Sequence, residues 1–145
     1  MLSSYGAAIV NRGYLILESS SFKNSYSRDG GGAIYNGKNL TIHRTIFEDN
    51  ISHGGGAIQT DEGGLLTITC SRFARNIAQY GGGILVGSRS SNVNVSYSSF
   101  AANDATPGGD DIHSYTNNGT IRVFYNWWNN AVSYTHLTLP TNREV

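Results

Sequence analysis

The chain has 145 residues, with ten basic and ten acidic side chains and a formal net charge of zero. Only 14% of its residues are charged, against roughly a quarter in an ordinary domain, so there is no basic face for nucleic acid and no polybasic run for an anionic membrane. The single Cys70 excludes an intrachain disulfide, and no Cys/His spacing resembles a zinc site.

Taken in order, the chain opens as if inside a repeat. Tyr5-Gly6 matches Tyr80-Gly81, so Met1 to Ser4 read as the tail of a preceding unit. Met1 to Arg12 have neither the basic start nor the apolar run of a signal peptide. No stretch approaches the ~20 apolar residues of a transmembrane helix. A glycine corner ending in an aliphatic then recurs at Gly6 to Ile9, Gly31 to Ile34, Gly55 to Ile58, Gly82 to Leu85 and, degraded, Gly109 to Ile112, a period of 24 to 27 residues. An alternating aliphatic pair follows each corner: Leu15 and Leu17, Leu40 and Ile42, Leu66 and Ile68, Val93 and Val95, Ile121 and Val123. Period two places each pair on one face of a strand.

Five residues after the second aliphatic comes an aromatic, Phe22, Phe47, Phe73 or Phe100, and three further on Asn50, Asn76 and Asn103. Asn24 breaks the pattern, standing only two residues after Phe22. In the fifth copy, counting from Val123 puts Trp128 in the aromatic slot, while counting from Phe100 puts Trp127 there with Asn130 in the asparagine slot.

A unit this short cannot bury its own apolar face and must stack on its neighbours. Short extended runs, glycine corners and the absence of helical periodicity predict an all-β fold, a right-handed parallel β-helix of about five coils of 24–27 residues. Ile34 is expected over Ile9 and under Ile58, Phe73 between Phe47 and Phe100, and the asparagines in one corner ladder. Glycine is expected at the positive-φ bends. Ser71 is placed at a polar corner, where loss of its hydroxyl costs less than about 0.5 kcal/mol.

Candidate chemistry is sparse. Asp61 to Gly64 and Gly87 to Ser91 read as turns that lengthen two coils. The one carboxylate cluster is Asp104, Asp110 and Asp111, with His113 close by. Lyase chemistry would need several carboxylates converging on one groove, for Ca²⁺ and a proton-abstracting base. Asp110 and Asp111 instead stand where other copies have Gly-Ala or Gly-Ile, so they read as an altered corner, with Ca²⁺ or catalysis as the alternative. His43 and His53 fall at unlike positions and read as surface residues. No catalytic, cofactor-binding or metal-ligating residue is assigned, and no cofactor. Asn39, Asn50, Asn94 and Asn118 begin N-x-[ST] triplets, which a chain rich in these residues yields by chance, and Asn50 is expected to be turned into its ladder.

Gly-Gly-Ala-Ile at 31–34 and 55–58, each followed by Phe-x-x-Asn at 47–50 and 73–76, resembles the repeats of polymorphic outer-membrane proteins and related β-helical adhesin-like proteins. Asn126-Trp127-Trp128 is similar to the Asn-Trp-Trp-Gly ending of such adhesin-like proteins, with Asn129 in place of the glycine. The resemblance implies a pectin-lyase-like β-helix, displayed at the cell surface, outer membrane or extracellularly. It also implies binding to a protein or glycan of a host or neighbouring cell, without catalysis, and membrane attachment only through parts outside this chain. The alternative is a non-catalytic part of a carbohydrate-active β-helix enzyme, a lyase or hydrolase.

Val132 to Val145 break every column, and Val-Ser-Tyr-Thr-His-Leu-Thr-Leu-Pro-Thr at 132–141 resembles an in-frame translation of a transposon adapter used in sequencing libraries. The expectation is a β-helix over 1–131, uncapped at both ends, followed by a non-native tail over 132–145.

Overall fold

A computed structural model describes residues 6, 8–87, 91–115, 119–128 and 134–135. Each repeat forms three short strands separated by bends, and each strand hydrogen-bonds in parallel to its counterpart one repeat away. The first sheet stacks Ile9–Asn11, Ile34–Asn36, Ile58–Thr60, Ile84–Val86, Ile112–Ser114 and Tyr134–Thr135. The second stacks Tyr14–Glu18, Asn39–His43, Leu65–Thr69, Asn92–Ser96 and Ile121–Phe124. The third stacks Ser21–Lys23, Ile46–Glu48, Arg72–Ala74, Ser99–Ala101 and Trp127–Trp128. A two-stranded pair, Ile77–Tyr80 with Asp104–Gly108, closes one corner.

Inward positions of the three sheets meet in one core. Ile34, Ile58, Ile84 and Ile112 line it from the first sheet, the aliphatic pairs from the second and the phenylalanines from the third. Ile9 pairs with Ile34 and Ile34 with Ile58, as the repeat spacing requires. Phe22, Phe47, Phe73 and Phe100 stack with centroids 5.2, 4.9 and 4.9 Å apart and planes within 10° of parallel. Aromatic pairs left to themselves favour offset or edge-to-face contacts. Here the rung spacing of about 4.8 Å dictates the geometry.

The structure departs from the sequence reading at the fourth corner and at the bends, and it decides the fifth aromatic slot. The fourth corner is Gly81 to Ile84, one residue earlier than Gly82 to Leu85, because Ile84 pairs with Ile58 and Leu85 with Gln59 on the outer side. Two adjacent aliphatics concealed that slip, which exchanges the two faces of a strand. Trp128 takes the fifth aromatic slot, stacked 4.6 Å from Phe100, and Trp127 points outward; Asn130 lies outside the described residues. Glycine holds one positive-φ column, Gly6, Gly31, Gly55, Gly81 and Gly109, where a Cβ at Gly55 would meet the Ile58 carbonyl. Two further columns are not glycine. Ser19, Arg44, Cys70, Tyr97 and Tyr125 form one, and Asn24, Asp49, Arg75 and Ala102 the other, all with φ between 48° and 56°.

The residue after each such bend turns inward and satisfies the backbone there. Asn50 Nδ2 donates to Asn76 Oδ1 at 2.9 Å, and Asn76 Nδ2 to Asn103 Oδ1 at 2.9 Å. Each amide also donates to the phenylalanine carbonyl one coil back, and each Oδ1 of Asn76 and Asn103 accepts the preceding asparagine's backbone N–H. Asn24 departs from the pattern because it occupies the bend itself, and Ser25 stands in the ladder slot, its N–H donating to Asn50 Oδ1. A second ladder runs through Thr45, Ser71 and Ser98 to Asn126, each side-chain oxygen accepting a backbone N–H from the coil before. A third links Asn11, Asn36 and Thr60.

Ser71 is therefore buried, not a polar corner facing water. Its Oγ accepts from Thr45 N–H and donates to the Thr69 carbonyl, so Ser71→Ala should cost about 1–3 kcal/mol by stranding a buried N–H. Phe73→Ala should cost about 3–5 kcal/mol through lost transfer energy and the cavity left between its neighbours. Urea denaturation of both variants checks this: a Ser71→Ala loss under about 0.5 kcal/mol would contradict the ladder.

Candidate functional site

The structure gives the residues of the carboxylate cluster different surroundings. Asp110 and Asp111 continue the columns of Gly82 and Gly83, their carbonyls accepting from Gly83 and Ile84 N–H. Asp111 turns into the core, 1% exposed, and its Oδ1 accepts from Asn103 Nδ2 at 2.9 Å. It thereby receives the amide that a further asparagine would otherwise take. Asp110, half-buried, accepts from Ala105 N–H at 3.2 Å. Asp104 is exposed. His113 is buried against Tyr80 and Tyr115, with ring centroids 5.4 and 4.5 Å away. Among the described residues no three His, Cys, Asp or Glu side chains are placed to hold a metal ion.

Burial pushes the Asp111 carboxyl up from 3.8 to about 6, against the opposing pull of the Asn103 amide and with a smaller push from Asp110. Burial likewise raises the Tyr115 phenol to about 12, helped by its contact with Tyr80. Neither shift prepares a base for neutral pH: one group is sealed in the core and the other is a poorer acid than a free phenol.

Asn50 is fully buried in its ladder. His43 is half-buried, its Nδ1 2.7 Å from Thr69 Oγ1, and His53 is exposed. Asp61 to Gly64 form a turn closed by Gly64 N–H on the Asp61 carbonyl, with Glu62 and Gly63 at positive φ. The Gly87 to Ser91 turn, through residues 88–90, and most of the 132–145 tail lie outside the described residues; Tyr134–Thr135 pairs with Ile112 and His113.

Two outer features come from side chains the repeat does not need. On the third sheet Glu48 draws together Lys23 at 2.9 Å, Arg72 at 3.5 Å and Arg75 at 3.7 Å, and Arg75 also holds Asp49 at 2.8 Å. The Lys23 hydrogen bond keeps the Glu48 carboxyl low against the opposing cost of burial, and the charges of Lys23, Arg75 and Arg72 each add a smaller pull. Such exposed pairs are screened by water and add little to stability. Beside them a cleft of about 390 Å³ lies between the bend column and the third sheet's outer face, lined by Tyr97, Tyr125, Trp127, Arg72, Ser99 and Cys70. Tyr97 and Tyr125 stack at 5.3 Å, and Tyr97, Tyr125 and Trp127 remain 63%, 47% and 58% exposed. Sequence reasoning missed this cleft because its tyrosines stand on bends where glycine was expected. The available signal was spacing: Tyr97 and Tyr125 each stand three residues before the aromatic slot.

Three parallel sheets stacked one coil per repeat, with internal asparagine and phenylalanine ladders, agree with the comparison to known proteins: the family model described as right handed beta helix region matches residues 2–138. The chain belongs to the right-handed β-helix family. Its β-helix is also similar to metabotropic glutamate receptor-like protein R of Dictyostelium discoideum, 31% identical over 111 residues. That match covers 77% of this chain and 7% of the relative's length. No solved structure matches.

Asp111 gives the β-helix a measurable pH signature. An acid whose folded value is raised holds a proton in the native state that the unfolded chain has released, so stability falls as pH rises from about 4 to about 6 and stays lowered above that. Two pH units correspond to about 3 kcal/mol. Asp111→Asn should raise the melting temperature at pH 7 and flatten the profile between pH 4 and 6. An unchanged profile would show that Asp111 is solvated.

Proposed function

We propose that this chain is a non-catalytic segment of a cell-surface β-helix protein of the adhesin or passenger kind, binding its partner through the outer face of the solenoid. The observation that carries this reading is the fate of the acidic cluster. Asp111 is consumed as the acceptor of the Asn103 amide and Asp110 as the acceptor of the Ala105 N–H, so neither is left beside the other as an exposed acid and base. General acid–base chemistry needs such a pair within hydrogen-bond reach of one substrate. The exposed surface carries stacked tyrosines and a tryptophan instead, side chains that suit recognition.

The resemblance of Gly-Gly-Ala-Ile and Phe-x-x-Asn to polymorphic outer-membrane protein repeats supports an exported location. The likeness to a receptor-like protein supports recognition rather than turnover. No part of this reading needs a cofactor, a metal or nucleic acid.

Incubating the purified chain with pectin, alginate and host glycans should release no product detectable by reducing-end or unsaturated-uronide assays, while fluorescently labelled chain should bind intact cells. Turnover that disappears in Asp110→Asn or Asp111→Asn would overturn the proposal in favour of a carbohydrate-active enzyme.

A further inference from the structure

The bend column of Ser19, Arg44, Cys70, Tyr97 and Tyr125 holds φ near 50° in every coil. The fold imposes this backbone whatever the side chain, and serine, arginine and cysteine serve it as well as tyrosine. Nothing in the backbone therefore calls for tyrosine at this bend. Two consecutive coils nevertheless place tyrosine there, and both rings stay in water, stacked on each other. The outward column of the third sheet repeats the pattern: Ser21, Ile46, Arg72 and Ser99 precede the exposed Trp127. The three rings gather around one cleft at one end of the described coils.

From this arrangement we infer that the cleft between Tyr97, Tyr125 and Trp127 is a glycan subsite, taking the face of a pyranose ring against its aromatic walls and hydrogen-bonding the ring's hydroxyls from Arg72 and Ser99. Pyranose rings present a face of C–H bonds to an aromatic plane and an edge of hydroxyls to polar groups, and the cleft supplies both. Its volume of about 390 Å³ lies at the small-ligand end of binding sites. A protein partner would need about 800 Å² of each surface, which three rings, Arg72 and Ser99 do not provide. Arg72 keeps its position through Glu48 at 3.5 Å while remaining half exposed, so its guanidinium is held by one carboxylate with donors left for a ligand. The inference rests on the surface-binding reading above and names the partner chemistry for it.

The test uses the full chain, Trp127→Ser and Tyr97→Ser. Serine stands at the equivalent place in another coil in both cases, as Ser99 and Ser19, so both variants should fold and melt as the parent does. Cellohexaose, chitohexaose, mannohexaose and a printed array of host N- and O-glycans serve as probes, read by tryptophan fluorescence and by array signal. At least one oligosaccharide should shift the parent's fluorescence, with affinity at least tenfold weaker in each variant. If no probe binds, or if binding survives both substitutions, the subsite is overturned. Cell binding retained by both variants, or abolished by protease treatment of the cells with the array blank, also overturns it while leaving the surface-binding reading standing. A chain that binds neither cells nor glycans contradicts both.

Discussion

Everything in this molecule follows from one spacing. Parallel strands sit about 4.8 Å apart, so each residue lies directly over its counterpart one repeat away, and a side chain is tolerated inside only if it can stack on a copy of itself or on a near equivalent. Phenylalanine does so face to face, isoleucine by packing, and asparagine by passing its amide to the next carbonyl. A single buried phenylalanine contributes about 1.5–3 kcal/mol by transfer alone. The ladders add less per bond, ~1 kcal/mol, yet they decide which residue can follow the bend. Removing a member strands backbone donors in the coil before and the amide of the asparagine beneath.

The interior and exterior therefore follow different rules. Inside, repetition is enforced, and Asp111 shows what happens where it fails: a carboxylate takes the place a small residue holds in other coils, accepts the last amide and is left partly uncompensated. Outside, no such constraint acts, and the same column can carry Ser19, Arg44, Cys70 or Tyr97. Surface chemistry is free to change from coil to coil without disturbing the scaffold, which is the property a recognition solenoid exploits.

Much of the fold was legible in the sequence because the two strongest signals, period-two aliphatic pairs and a fixed aromatic offset, are both consequences of the interior rule. Ile34 over Ile9 and Phe73 between Phe47 and Phe100 follow from counting alone. The fourth corner slipped by one residue because Ile84 and Leu85 are equally apolar, and only pairing with Ile58 tells them apart. The serine and threonine ladder escaped notice because its members look like ordinary turn residues. The non-glycine bends did too, since positive φ at Arg44 or Tyr97 is imposed by neighbouring coils and leaves no local mark. The candidate site was least legible: Asp110 and Asp111 could be placed in a corner by alignment, but whether they faced the core or water required coordinates.

In-register stacking is the claim on which the interior, the bends and the aromatic cleft all depend. Proton nuclear Overhauser spectroscopy on a chain with labelled phenylalanines measures it directly. Ring centroids 4.9 Å apart for Phe47–Phe73 and Phe73–Phe100 should give strong ring-to-ring cross-peaks for both pairs and none between Phe47 and Phe100. Absence of those two cross-peaks, or a Phe47–Phe100 peak of equal strength, would contradict the register and with it the account built on it.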